Sequence, residues 1–166
     1  MLAETGAGRM IRLMVQKPCG TILMVDDSAD DALLLQGSFE DSASPSVQWV
    51  PDGNEAILYL CGQGRYADRE RHPLPLLILL DLKMPIKNGF EVLQFVRSYP
   101  AFASIPVVVH SDCFDGRIVK RAYELGANSF VRKAGDMKEH HKLAETLKNY
   151  WLGTNTVPPD VPSIGL

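Results

Sequence analysis

The sequence predicts an α/β fold: one domain built on a doubly wound, five-stranded parallel sheet. Three observations carry this. Ile22–Val25, Leu76–Leu80 and Ile105–His110 are short, apolar and non-alternating, as strands are when helices cover both faces. Stripes of apolar residues at helical spacing separate these runs. Strand and helix then alternate five times, which implies parallel strands, right-handed crossovers and helices on both faces.

Each element has its own warrant. Ile22–Val25 is followed by a helix whose face is Ala32, Leu35 and Phe39, with Asp27 or Ser28 as its N-cap. Val47–Val50 is a weaker strand. Asp52 with Glu55 reads as a capping box for the next helix, which carries Ile57 and Leu60. The connection Cys61–Pro75 is long for such a link. After Leu76–Leu80, Asn88 with Glu91 is a second capping box, opening a helix with Val92, Leu93 and Val96 inward. Ile105–His110 leads to a helix capped by Asp115, striped by Ile118, Ala122 and Leu125, and stopped by Gly126. Ser129–Arg132 is the last strand, and Leu143, Leu147 and Trp151 mark the last helix. Residues 20–152 form the domain. Residues 1–19 read as a flexible leader, with no signal-peptide core. Residues 153–166, with Pro158, Pro159 and Pro162, read as an extended tail.

Composition narrows the class. The chain has 166 residues, 46% of them hydrophobic, which suits one folded core. A net charge of −3 and no basic stripe argue against nucleic acid as a partner. No apolar run is long enough to span a bilayer. Cys19, Cys61 and Cys113 form neither a CxxC pair nor a metal spacing, which suits a reduced, cytoplasmic protein.

In an open parallel sheet, ligands bind outside the carboxyl ends of the strands. The residues just past those ends are Asp26 and Asp27, then Asp81, Ser111 and Lys133. Close carboxylates repel one another and call for a cation, and an all-oxygen set suits a hard divalent ion, Mg²⁺ first among them. Asp81, at the middle of the edge, can act as a carboxylate nucleophile toward a phosphoryl group. Lys133 and the cation would neutralise charge, and Ser111 would donate to a phosphoryl oxygen.

Met24-Val25-Asp26-Asp27-Ser28, Leu80-Asp81-Leu82-Lys83-Met84-Pro85 with Gly89, Ser111, and Phe130-Val131-Arg132-Lys133 together resemble the receiver domain of bacterial response regulators. The resemblance implies a flavodoxin-like (βα)5 fold and a two-component signalling role, with a sensor histidine kinase as phosphoryl donor. It implies that Asp81 is the phosphoacceptor, that Asp27 binds Mg²⁺ directly and Asp26 through water, and that the Lys83 backbone carbonyl is a further ligand. Lys133 would pair with the phosphoryl group, while Ser111 and Phe130 would form the switch pair. Such a domain assists its own phosphorylation and dephosphorylation but is not a dedicated enzyme. The long link before the third strand, Gly89-Phe90-Glu91-Val92-Leu93, and Tyr150-Trp151-Leu152 before a Pro-rich tail resemble single-domain regulators paired with bacterial phytochromes. That narrower resemblance implies a light-regulated kinase and a homodimer held by the last helix and tail.

Two positions depart from the family pattern: Ala134 stands where proline is usual after the lysine, and Asp112 where a small residue is usual after the hydroxyl. They motivate an alternative, a phosphorylation-independent interaction scaffold. A phosphoester hydrolase is disfavoured, because the chain has neither a DxD pair at Asp81 nor a P-loop. Phe130 reads equally as a core aromatic. His140 and His141 read as solvated, and so does the cluster Arg65, Arg69 and Arg71.

Overall fold

A computed structural model describes residues 20–39, 44–133 and 135–156 of the chain. The predicted leader, most of the predicted tail and Ala134 lie outside them. The elements are β1 (Thr21–Val25), α1 (Ala29–Gly37), β2 (Ser46–Val50), α2 (Gly53–Cys61), β3 (Leu77–Leu80), α3 (Gly89–Ser98), β4 (Val107–Ser111), α4 (Gly116–Glu124), β5 (Ser129–Arg132) and α5 (Met137–Thr146). The five strands pair in parallel in the order β2-β1-β3-β4-β5. This is the doubly wound sheet the sequence predicts, with its switch in strand order beside β1 and β3.

Successive residues of each central strand enter opposite cores. Leu23, Val25, Ile78, Leu80, Val107 and Val109 pack under α2, α3 and α4 with Tyr59, Leu60 and Leu93. Ile22, Met24, Leu77, Leu79 and Val108 pack on the other face with Leu35 of α1, with Phe39 just past its end, and with Ala144 and Leu147. Covering both faces is why these strands read as unbroken apolar runs.

The helix starts follow side-chain chemistry. Ser28, not Asp27, caps α1, accepting the Asp31 N–H at 3.2 Å. The Asn88–Glu91 box is complete, with both reciprocal bonds formed. Asp52 takes the N–H groups of Asn54 and Glu55, but Glu55 does not return the bond: its carboxylate binds Arg65 and the Tyr66 hydroxyl instead. β4 begins two residues later than expected, after Pro106, and includes Ser111. The last helix continues beyond α5 as a π-helical stretch, Leu147–Thr154, so the chain turns extended at Asn155 rather than at Gly153.

The long α2–β3 link is built, not loose. Arg69 donates to the carbonyls of Tyr59 at 2.8 Å, Leu60 at 2.6 Å and His72 at 3.1 Å. It therefore caps the Leu60 carbonyl near the end of α2 and adds a second donor to the Tyr59 carbonyl, which already accepts the Gly62 N–H, and is not the solvated residue the sequence suggested. Arg71 is exposed as expected. His140 is a second correction. It is buried, its ring set edge-on to that of His110 at 6.5 Å. The inward face of the last helix begins there, one turn before Ala144 and Leu147, which the apolar pattern alone does not reveal.

Two stability predictions arise here. Ile86, 80% exposed, holds φ at 68°, a left-handed conformation that a β-branched side chain resists. Ile86→Asn gives up little burial and is expected to raise unfolding free energy by about 1 kcal/mol in urea titration. A loss of stability would contradict the strain argument. On β4, His110 Nδ1 is buried with no hydrogen-bond partner. Burial foremost, with the charges of Lys133 and His140 adding, depresses its pKa from 6.5 to about 4. Between those values the unfolded chain binds a proton that the native chain refuses, so stability rises with pH across that window. The contribution is full above pH 6.5, is lost progressively toward pH 4, and amounts to ~3 kcal/mol. His110→Gln should flatten the pH profile of unfolding by that much; parallel profiles for the two proteins would refute it.

Candidate phosphoryl-acceptor site

The carboxyl ends of β1, β3, β4 and β5 bring residues more than a hundred positions apart to one edge. Asp26 follows β1 directly and is 1% exposed. Its N–H donates to the Val50 carbonyl at 3.1 Å, and its own carbonyl accepts from Trp49 Nε1 at 2.7 Å. Its side chain accepts the Ser28 N–H at 2.9 Å. Asp27, next in the chain, is exposed. Asp81 follows β3, with its N–H on the Val25 carbonyl at 2.9 Å and its Oδ1 accepting the Lys83 N–H at 3.2 Å.

Oxygens of Asp26, Asp27 and Asp81 lie within 4.8 Å of one another. Three carboxylates this close, with only oxygen to offer, form a donor set suited to a hard divalent cation. The residues present therefore fit a cation of the Mg²⁺ kind.

Lys133 leaves β5 with its N–H on the Ser111 carbonyl at 3.1 Å. Its Nζ is nearly buried and meets Asp26 at 2.7 Å, Asp81 at 3.1 Å and Asp31 at 3.1 Å. Burial alone would depress this ammonium; the hydrogen bond and charge of Asp26, with Asp81 and Asp31, outweigh it and raise its pKa. Asp26 is raised as well, foremost by burial, against the lowering pull of Lys133 and of the Ser28 N–H. One ammonium thus serves several carboxylates crowded at the edge.

The other predicted residues fall less tightly. Ser111 is fully buried at the end of β4, paired in register with Arg132, and its hydroxyl meets the Cys113 N–H at 3.5 Å. Phe130 is partly buried against the core under α2, α3 and α4. The Lys83 side chain points to solvent, while its backbone turns over Asp81. Asp112 is exposed. Asp31 is the residue that sequence reasoning missed. It sits in the first turn of α1, where an acid needs no more explanation than the helix dipole, and only the fold brings Lys133 to it.

Gly89 explains how closely the edge is built. A Cβ there would lie 2.2 Å from the Asp81 carbonyl oxygen and 2.8 Å from the Leu82 Cα. The start of α3 therefore rests directly on the backbone that carries Asp81.

Comparisons with known proteins bear on the family and the fold. Residues 22–145 match the family model of the response regulator receiver domain. Response regulator Rcp1 of Synechocystis sp. is 36% identical over 85% of this chain and 95% of its own length. The crystal structure of the phosphorylated cyanobacterial phytochrome response regulator RcpA superposes with a TM-score of 0.77 at 34% identity, over 84% of this chain and 98% of that one. The Mn²⁺-bound form of Rcp1 gives 0.74 at 35% identity, over 84% and 99%.

Proposed function

The chain belongs to the response regulator receiver family, and from that premise we propose that Asp81 is the residue that accepts the phosphoryl group from a sensor histidine kinase. The observation that carries this is Lys133 Nζ, 3.1 Å from the Asp81 carboxylate, with the Asp26 and Asp27 carboxylates beside it.

Asp81 supplies an oxygen nucleophile; the O–P bond forms as the P–N bond to the donor imidazole breaks, and the imidazole nitrogen keeps the electron pair. Lys133 leaves the Asp81 oxygen for the phosphoryl oxygens and balances their charge. Ser111 donates its hydroxyl to another phosphoryl oxygen, and Phe130 follows it inward. Asp26, Asp27, Asp81 and the Lys83 carbonyl would hold Mg²⁺, which supplies charge neutralisation to the transferring group. The product is a phosphorylated signalling surface, not a released compound.

The donor we infer is a phytochrome-type kinase in the cytoplasm, because one solved relative named above, RcpA, is a phytochrome response regulator. The output is a protein contact. A homodimer through the last helix and tail is supported by exposed apolar side chains there, Met137 at 49% and Tyr150 at 52%.

Beryllofluoride with Mg²⁺, which mimics an acyl phosphate, should shift the amide signals of Ser111 and Phe130 in the wild type and leave them unmoved in Asp81→Ala. An equal response in both, or none in the wild type, would overturn the assignment. Transfer of labelled phosphate from candidate kinases, with Asp81→Asn as control, then identifies the donor.

A further inference from the structure

We propose that Asp31 is a positioning residue: it anchors the Lys133 ammonium at the sheet edge when the other two carboxylates are engaged elsewhere. An ammonium has three donors, and three carboxylates surround this one, from Asp26, Asp31 and Asp81. Two of the three have a second employment. Asp26 and Asp81 belong to the cluster that fits a cation, whereas Asp31 does not. Asp81 is also the group that the proposed reaction converts to an acyl phosphate. Only Asp31 is free of both demands, so it is the contact that persists through cation binding and phosphoryl transfer.

Its setting suits the task. The Asp31 backbone is held by Ser28 Oγ at 3.2 Å in the first turn of α1, so the carboxylate approaches Lys133 from a helix and not from a loop. Its side chain is 29% exposed, against 2% for Asp26 and 6% for Asp81. It therefore keeps part of its hydration. Lys133 is one flexible stem with several possible partners, and a fixed carboxylate to one side limits where its charge can go.

The proposal rests on the reading that Asp81 accepts the phosphoryl group, and the test separates the two. Phosphoramidate with saturating Mg²⁺ is used as donor. Asp31→Ala is expected to lower the limiting rate of Asp81 phosphorylation about tenfold, with donor half-saturation little changed. Asp31→Glu should recover part of the loss. Asp30→Ala, in the same exposed turn, should match the wild type. In a Lys133→Ala background, Asp31→Ala should add no further loss, because its effect runs through the lysine. Additive losses, or an equal loss from Asp30→Ala, would reduce Asp31 to a helix-end charge and overturn the proposal. A second readout needs no turnover: NMR order at the Lys133 Cε. It should stay high in the wild type with or without Mg²⁺, and fall in Asp31→Ala only when Mg²⁺ is added. Equal order in both proteins with Mg²⁺ would also overturn the proposal. If the wild type itself is not phosphorylated on Asp81, the functional reading fails, while the order measurement still decides whether Asp31 holds the lysine.

Discussion

Gly89→Ala is expected to destabilise the chain by about 3 kcal/mol or more, the upper range for forcing an atom into a packed interior. The new methyl would collide with the Asp81 carbonyl oxygen and the Leu82 Cα, both main-chain atoms that cannot rotate aside. Relief requires α3 to lift from the sheet edge, which also unseats the Gly89 N–H from the Leu82 carbonyl, a bond of 3.2 Å. The proper control is Gly116→Ala, at the equivalent first position of α4, where nothing lies within 4 Å of an added methyl. That change should be neutral or gain up to ~1 kcal/mol from helix propensity. Urea unfolding of the two variants measures the contrast. Similar midpoints would mean that α3 does not rest on the Asp81 backbone as described.

Lys133→Ala should cost about 3 kcal/mol at pH 7, because it strands carboxylates around a site that is largely closed to water. The size of the loss should depend on conditions in a way a simple cavity would not. Asp26 already has a raised pKa, foremost by burial, while paired with the ammonium. Without Lys133 it should rise further, so the variant recovers stability relative to the wild type as pH falls and the proton takes over from the lysine. Millimolar Mg²⁺ should also stabilise the variant more than the wild type, since the ammonium no longer competes for the same oxygens. Thermal unfolding with and without Mg²⁺, at pH 7 and pH 5, checks both trends. An unchanged loss under all conditions would point to lost packing alone.

Much of this molecule is legible in its sequence because the signals are local. Asn88 and Glu91 need only each other to announce the start of α3, and Leu77–Leu80 needs only its own apolarity to announce a doubly covered strand. The acids and the lysine of the site could be read because each sits just past a strand end, and parallel topology gathers such positions. What escaped the reading depends on partners from elsewhere in the fold. Asp31 looks like any acid opening a helix until β5 delivers Lys133 to it. Arg69 looks like a loop cation until the turn folds it onto the Tyr59 and Leu60 carbonyls at the end of α2. His140 looks solvated until the last helix presents that side to His110. In each case a polar side chain is spent on a tertiary contact that carries no periodic signature.

The bond from the Trp49 indole to the Asp26 carbonyl has a practical consequence. It ties a fluorophore on β2 to the main chain of the acidic edge, on the side of the sheet away from β5. A change of charge or geometry at Asp26 is therefore carried to a half-exposed indole with a single hydrogen bond between them. The indole is therefore expected to serve as an optical gauge of cation binding at this edge. Emission at Trp49, read in a chain whose Trp151 is replaced by phenylalanine, would follow the edge without any added label.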